Sequence, residues 1–299
     1  MEKNTYHEIN QYKDALFPVE IYHVDETGIF PSGRGLEDLH WHDELQFTLA
    51  VHGSFTLQAN ARQYRIKEGE AAFINSGIIH TVTNLSKGGH YTSLNFPYKL
   101  LSFFPGSRME KEQVLPYTSG GSCPVLLFRP QIPWQKDVLD LLKELNALWN
   151  DTTNKHIKYL ISLKILSLWY IMLSHLPEEI TPASSTDLIR RQRLQSMLSF
   201  IYEHFGEDIS LTDIAACSHI STGECCRIFR EHLQTTPYQF LTEYRIRKSV
   251  ELLSGEHSIS EIAARCGYNQ VSNYISKFKS ILKVTPAQYR KHKKLPSTM

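Results

Sequence analysis

Hydrophobic positions along this 299-residue chain change period once. From residue 17 to 100, short apolar or alternating runs (FPVEIY, LQFTLAV, FTLQA, AAFI) are separated by the turn-forming stretches GRG, HGS, QANAR, KEGE and NSG. Runs of this kind bounded by Gly and Asn predict β-strands packed as a sandwich or small barrel. Residues 101–133 hold five prolines and no sustained period, and read as irregular. From residue 134 the spacing is helical. In WQKDVLDLLKELNALWN (134–150), Val138, Leu141, Leu142, Leu145 and Leu148 share one face. A second apolar helix is predicted over 155–176. Its core, YLISLKILSLWYIML, is 15 residues long and contains Lys164, too short and too interrupted to span a bilayer. LPEEITPASST (176–186) has linker composition, and everything after it reads as helix. The expected division is 1–133, a helical segment 134–176, a linker 177–187 and a C-terminal domain 188–299. The fold class is α+β and multidomain.

The C-terminal part repeats itself. SLTDIAACSHIS (210–221) and SISEIAARCGYN (258–269) each open with a capping box, Ser210 with Asp213 and Ser258 with Glu261. Each continues Ile-Ala-Ala and passes through a short turn into a second helix. Those helices end in Phe229-Arg230 and Phe278-Lys279, followed by the helix starts Thr236-Pro237 and Thr285-Pro286. Small Ala pairs allow two helices to meet closely across a tight turn. A duplicated helix-turn-helix, over about 211–232 and 259–282, is the expected arrangement. One helix near 237–253, ended by Gly255, spaces the copies.

Charge sharpens this picture. Residues 1–187 hold 16 basic and 21 acidic residues, whereas residues 188–299 hold 16 and 10. An acidic front and a basic back place nucleic acid at the C-terminal end. The five cysteines fit no zinc spacing and read as free thiols of a reducing cytoplasm. The first residues lack the apolar core of a signal peptide, so a cytoplasmic protein without membrane contact is expected.

Residues 194–292 resemble the DNA-binding domain of AraC/XylS-type bacterial transcription regulators. IYEHFGEDISLTDIA, FREHLQTTPYQFLTEYRIRKSVELL, SISEIAARCGY and FKSILKVTPAQYR carry the resemblance. It implies that the first reading helix presents Thr222, Gly223, Cys226 and Arg227 to DNA, with Arg230 nearer the backbone, while Cys225 packs inward. The second presents Gln270, Ser272, Asn273 and Ser276, with Lys277 and Lys279 nearby. Arg suits guanine and Asn or Gln suits adenine in the major groove, while off-face Lys and Arg suit phosphates. The chain departs from the family in having Gln234 and Lys283 where Gly usually follows each reading helix. If those positions are left-handed, each costs about 1 kcal/mol.

Further forward, HWHDELQ (40–46) would place His40, His42, Glu44 and Gln46 on one side of a strand. The spacing by itself allows a metal site, a grip on a polar ligand, or a wet sheet face. With Gly53, Gly69, Asn75-Ser76-Gly77 and His80, the stretch resembles the two signatures of cupin barrels. That resemblance puts His40, His42 and His80 at metal-ligand positions, with Gln46 where metal-binding cupins carry glutamate. AraC-type regulators commonly place such a barrel before the DNA-binding part. There it binds an organic effector without metal, and the following helices dimerise. The expectation is therefore a ligand-responsive transcription regulator, sensing a sugar or similar polar metabolite through His40, His42, Glu44, Gln46 and His80. No cofactor and no catalysis are expected; the low-ranked metal set is His40, His42 and His80. Expected partners are double-stranded DNA, a small-molecule effector, a second copy of the chain and RNA polymerase. Two rivals stand beside it: a metal-dependent cupin enzyme fused to a DNA-binding tail, and a ligand-independent regulator whose barrel only dimerises.

Overall fold

The computed structural model describes residues 7–294 apart from 9, 11, 32, 34, 35, 37, 38, 60, 119–122, 152 and 178–184. The chain divides into two compact units with the cut after Ile189. The expected linker falls mostly outside the described residues. Residues 185–187, assigned to it, are already helical, opening α4 (Ser185–His204).

Among the described residues of the first unit, nine strands form two antiparallel sheets. They are β1 (Glu20–Asp25), β2 (Gly28–Phe30), β3 (Leu45–His52), β4 (Ser54–Ala59), β5 (Arg62–Lys67), β6 (Ala71–Ile74), β7 (His80–Thr83), β8 (His90–Phe96) and β9 (Val125–Phe128). The larger sheet runs β2-β1-β8-β3-β6-β9 and the smaller β5-β4-β7. Alternation along β3 explains the layering. Leu45, Phe47 and Leu49 join a core with Phe73, Phe96 and the helices α2 (Pro133–Trp149) and α3 (Ile157–Leu173). Ala50 joins Phe55, Leu57 and Tyr91 in a second core between the sheets. Both faces of β3 are covered: Gln46 and Thr48, on the face opposite Leu45, Phe47 and Leu49, are buried polar residues.

Two expectations change here. Residues 101–133 are not irregular throughout: a π-helix Met109–Val114 runs into the α-helical turn α1 (Leu115–Thr118), and β9 completes the sheet edge. Nor is HWHDELQ one strand. Residues 43 and 44 form a bend, and β3 begins at Leu45.

The second unit is helical. After α4 come α5 (Leu211–Ala216), α6 (Thr222–Leu233), α7 (Pro237–Leu252), α8 (Ile259–Arg265), α9 (Val271–Leu282) and α10 (Pro286–Lys294). Capping boxes open α5, α7 and α8, with Ser210, Thr236 and Ser258 as N-caps. Helix α7, 16 residues, is about 24 Å long and separates the copies. Ile262, Ala263, Cys266, Tyr274 and Phe278 form the core of the second copy. Ile214, Ala215, Cys225, Ile228 and Phe229 are buried correspondingly in the first.

Candidate functional site

Three imidazoles converge between the sheets. Backbone hydrogen bonds pair His40 with His80 in both directions, at 2.9 and 2.8 Å. The His40 and His80 rings lie 4.3 Å apart between centroids, and His42 lies 5.1 Å from His80. All three side chains are buried, and each offers a nitrogen within 4.8 Å of the others.

His80 Nδ1–H donates to the Ile78 carbonyl at 2.8 Å, so its other nitrogen, Nε2, carries a lone pair. That Nε2 is buried and unpartnered. Burial, then the neighbouring His40 and His42, holds His80 well below the usual histidine range. His42 Nδ1 lies 3.1 Å from the Glu44 carbonyl, and its Nε2 lies 2.8 Å from Gln46 Oε1. The Gln46 amide in turn donates to Thr48 Oγ1 at 2.7 Å, and Ser93 Oγ is 3.0 Å from that hydroxyl. Trp41 points away, buried against His7, with ring centroids 6.0 Å apart.

Beside the histidines is a small cavity of about 20 Å³. His40, Gln46 and His80 line it together with Tyr22, Tyr91 and Asn95, whereas His42, expected among the effector contacts, does not. Two more unpartnered buried atoms belong to lining residues, Tyr91 Oη and Asn95 Oδ1. Burial raises both Tyr22 and Tyr91 above the usual phenol range, so both hydroxyls keep their protons.

Glu44 departs from its expected place. Its carboxylate accepts from Asn10 Nδ2 and from Tyr12 Oη, each at 2.7 Å, and does not line the cavity. The segment holding it was missed in the sequence. Described residues 7, 8, 10 and 12 lie beside the site: Glu8 N donates to the Trp41 carbonyl at 2.8 Å, and Glu8 Oε2 lies 3.4 Å from His40 Nε2. Tyr22 Oη donates to Asn10 Oδ1 at 2.9 Å. The only local signal was polar alternation at Glu8, Asn10 and Tyr12, too short to distinguish from a surface strand.

In the helical unit, Thr222, Gly223, Arg227 and Arg230 of α6 are exposed and Cys226 is half-buried. Gln270, the N-cap of α9, and Ser272, Asn273, Ser276 and Lys279 are exposed. Lys277 is half-buried, its Nζ 5.6 Å from the Tyr238 ring centre. Cys225 is fully buried, which pushes its thiol up to about 12. Gln234 and Lys283 do take left-handed conformations, with φ of 56° and 63°, as C-caps of α6 and α9.

One contact separates the two reading helices. On α6, Arg227 pairs with Glu224 and with Glu231. Helix α9, VSNYISKFKSIL, contains Lys277 and Lys279 and no acidic residue.

Known proteins agree with both halves. The family described as an AraC-like ligand binding domain matches residues 23–134, and the one described as a helix-turn-helix domain matches residues 214–292. The HTH-type transcriptional regulator YdeC of Bacillus subtilis is 32% identical over 289 residues, 95% of this chain and 95% of its own length. The melibiose operon regulatory protein of Escherichia coli is 23% identical over 258 residues, 84% of this chain and 83% of its own. Among solved structures, ToxT of Vibrio cholerae aligns with 91% of this chain and 97% of its own, at 14% identity and a TM-score of 0.45. Among the described residues, no helix is long and apolar enough to cross a membrane. A sheet domain with a polar internal pocket, followed by a duplicated helix-turn-helix and matched along nearly its whole length by such a regulator, makes this chain a member of the AraC family of DNA-binding transcription regulators.

Proposed function

We propose that the chain is a dimeric regulator that senses a sugar, or a similar hydroxylated metabolite, in the cavity beside His40, Gln46 and His80. The observation that carries the reading is the convergence of three unpartnered buried atoms, His80 Nε2, Tyr91 Oη and Asn95 Oδ1, on one cavity. Buried polar groups are nearly always hydrogen-bonded, and a cluster of exceptions marks a place where a polar molecule is received. The mixture suits hydroxyl groups: lone pairs on His80 and Asn95 accept, and the Tyr91 hydroxyl donates. One relative is named for regulating the melibiose operon, a sugar operon. A cavity of about 20 Å³ takes a water-sized group rather than a hexose. A sugar therefore enters only when Glu8, which lines the cavity, moves aside.

Output runs through α6 and α9, which would enter successive major grooves with α7 between them. Dimerisation belongs to α3, whose exposed side still carries Tyr159, Leu163 and Tyr170. RNA polymerase is the partner such a DNA-bound dimer would act on. Catalysis has no part in this reading.

A panel of mono- and disaccharides on the full chain tests it. One sugar class raises the melting temperature, and the shift disappears on Asn95→Ala. A panel in which no sugar moves the melting temperature, or in which Asn95→Ala keeps the full shift, sinks the sugar reading.

A further inference from the structure

We propose that the cleft between the π-helix Met109–Val114 and α3 is a second small-molecule site, taking a neutral ligand with an apolar, aromatic body. The cleft shares no lining residue with the sheet pocket, and its ligand does not depend on a sugar being the effector.

Shape comes first. The cleft has a volume of about 790 Å³, inside the range of about 300–1,000 Å³ that small-molecule sites occupy. Its lining includes Leu101, Val114 and Trp169, which are almost wholly buried, and Met109 and Tyr170, which are exposed. Buried residues at the base and exposed ones at the edge make a hollow that accepts an inserted body.

The π-helix makes the wall. Such helices are rare and are found frequently at functional sites. Their bonds run from residue i to i+5, so positions four and five apart share a face. Met109, Gln113 and Val114 accordingly all line the cleft. In an α-helix of 3.6 residues per turn, Met109 and Val114 would stand about 140° apart. The wall is also fixed in place. Trp169 Nε1 donates to the Gln113 carbonyl at 3.1 Å, tying α3 to the π-helix, and the Tyr117 ring meets the indole edge-on. Phe103, another lining residue, has φ of 61°, a left-handed angle that bulky side chains rarely take. Hydrogen bonds from Phe104 N to the Ser102 carbonyl at 2.7 Å and from Ser107 N to the Phe104 carbonyl at 3.1 Å hold that turn. Strained angles of this kind cluster at ligand clamps.

Charge then selects the ligand. No lining residue is acidic or basic. The cations nearest in sequence, Arg108 and Lys164, are paired with Glu112 and Glu144. A charged ligand would lose water here with no partner to replace it. The polar groups at the cleft are the Gln113 amide and the Ser167 and Tyr170 hydroxyls, enough for one or two hydroxyl or carbonyl groups on an otherwise apolar molecule. The rival occupant is a second copy of the chain, since Leu163 and Tyr170 border both the cleft and the proposed dimer face.

The test uses the full chain and N-phenyl-1-naphthylamine, a neutral probe whose emission rises and shifts to the blue on leaving water. The expected result is saturable uptake of one probe per chain. 1-Anilinonaphthalene-8-sulfonate, the same body with a sulfonate added, should bind about tenfold or more weakly. Met109→Glu puts a charge on the wall at an exposed position and should weaken the neutral probe by a similar factor, with the far-ultraviolet spectrum kept. If that variant fails to fold, Ser167→Trp, at an exposed position of α3, fills the cleft and takes its place. No saturable uptake by the wild type, or uptake unchanged in the folded variant, overturns the proposal. Equal affinity for the two probes overturns the neutral class of ligand. Uptake is also read across a dilution series followed by light scattering. One probe per chain at every concentration supports the small-molecule site. Uptake that falls as chains associate makes a second copy the occupant and overturns it.

Discussion

Arg227 and Glu224 stand one helical turn apart on α6 and are already joined. Arg227 Nη2 donates to Glu224 Oε1 at 2.7 Å, and Nε donates to Oε2 at 2.9 Å. To pair with a base, Arg227 would first have to give up this fork, which leaves that part of α6 partly neutralised. Glu224→Gln should free it while keeping a side chain able to serve near the helix start. The expected outcome is tighter DNA binding with a salt slope steeper by about one, read by fluorescence anisotropy over a salt series. An unchanged slope would mean that Arg227, once released, neutralises no phosphate. Arg227→Ala should cost about 1–3 kcal/mol at the target site and relax base preference there. An equal loss on random DNA would instead make Arg227 a phosphate contact.

Helix α3 is apolar on nearly every side, a pattern that belongs to a buried helix. Yet Tyr159 is 73% and Tyr170 70% exposed, with Leu163 between them. Leu163→Glu and Tyr170→Glu should convert a dimer into monomers by light scattering, with little change in the far-ultraviolet spectrum. A dimer that survives both charges would remove α3 from the interface.

The left-handed C-caps Gln234 and Lys283 hold backbone angles that glycine takes without strain. Gln234→Gly and Lys283→Gly should each stabilise the helical domain by about 1 kcal/mol, less what glycine adds to the freedom of the unfolded chain. The midpoint of urea unfolding reads this directly. Gly267→Ala should do the opposite. It has φ +73°, and an added Cβ would stand 2.4 Å from the Phe205 carbonyl oxygen. Strain and overlap together predict a loss of about 2–4 kcal/mol.

His23, on β1, stacks on His90, with centroids 5.6 Å apart, and is held below its usual range first by burial, then by His90 and Lys13. The unfolded chain therefore takes up this proton at a higher pH than the folded one. The stabilising contribution is complete above the ordinary histidine value of about 6.5 and is lost as pH falls from there toward the folded value. The melting temperature of the sheet domain should drop over that window, and His23→Gln should flatten the drop. A slope unchanged by His23→Gln would assign the effect to other groups.

The helical domain was legible in the sequence and the pocket only in part, for a physical reason. Ser210–Asp213 and Ser258–Glu261 are contacts within one turn, and the Ile-Ala-Ala repeats report packing over a dozen residues, so spacing alone finds them. The histidine cluster was half visible, because His40 and His42 are near neighbours and His80 resembled a known partner. What holds the cluster is not local: the bond from Asn10 to Glu44 spans 34 residues. That bond also explains why Glu44 left the row in which strand alternation had put it. The π-helix at Met109–Val114 lay in a proline-rich stretch, and Pro116 stands just past its change to α-helix. Proline counts alone signal breaks, and here they concealed a helix.

The contacts of Glu8, Asn10 and Tyr12 beside the pocket have a thermodynamic consequence. An effector meeting this pocket competes with a ligand that is always present at high local concentration, because it is part of the same chain. The measured dissociation constant is then the intrinsic one divided by the fraction of molecules in which those contacts have opened. Substitutions at Asn10 or Tyr12, which touch no effector, would tune sensitivity by changing that fraction, and the response threshold would be written at the N-terminus as much as in the sheets.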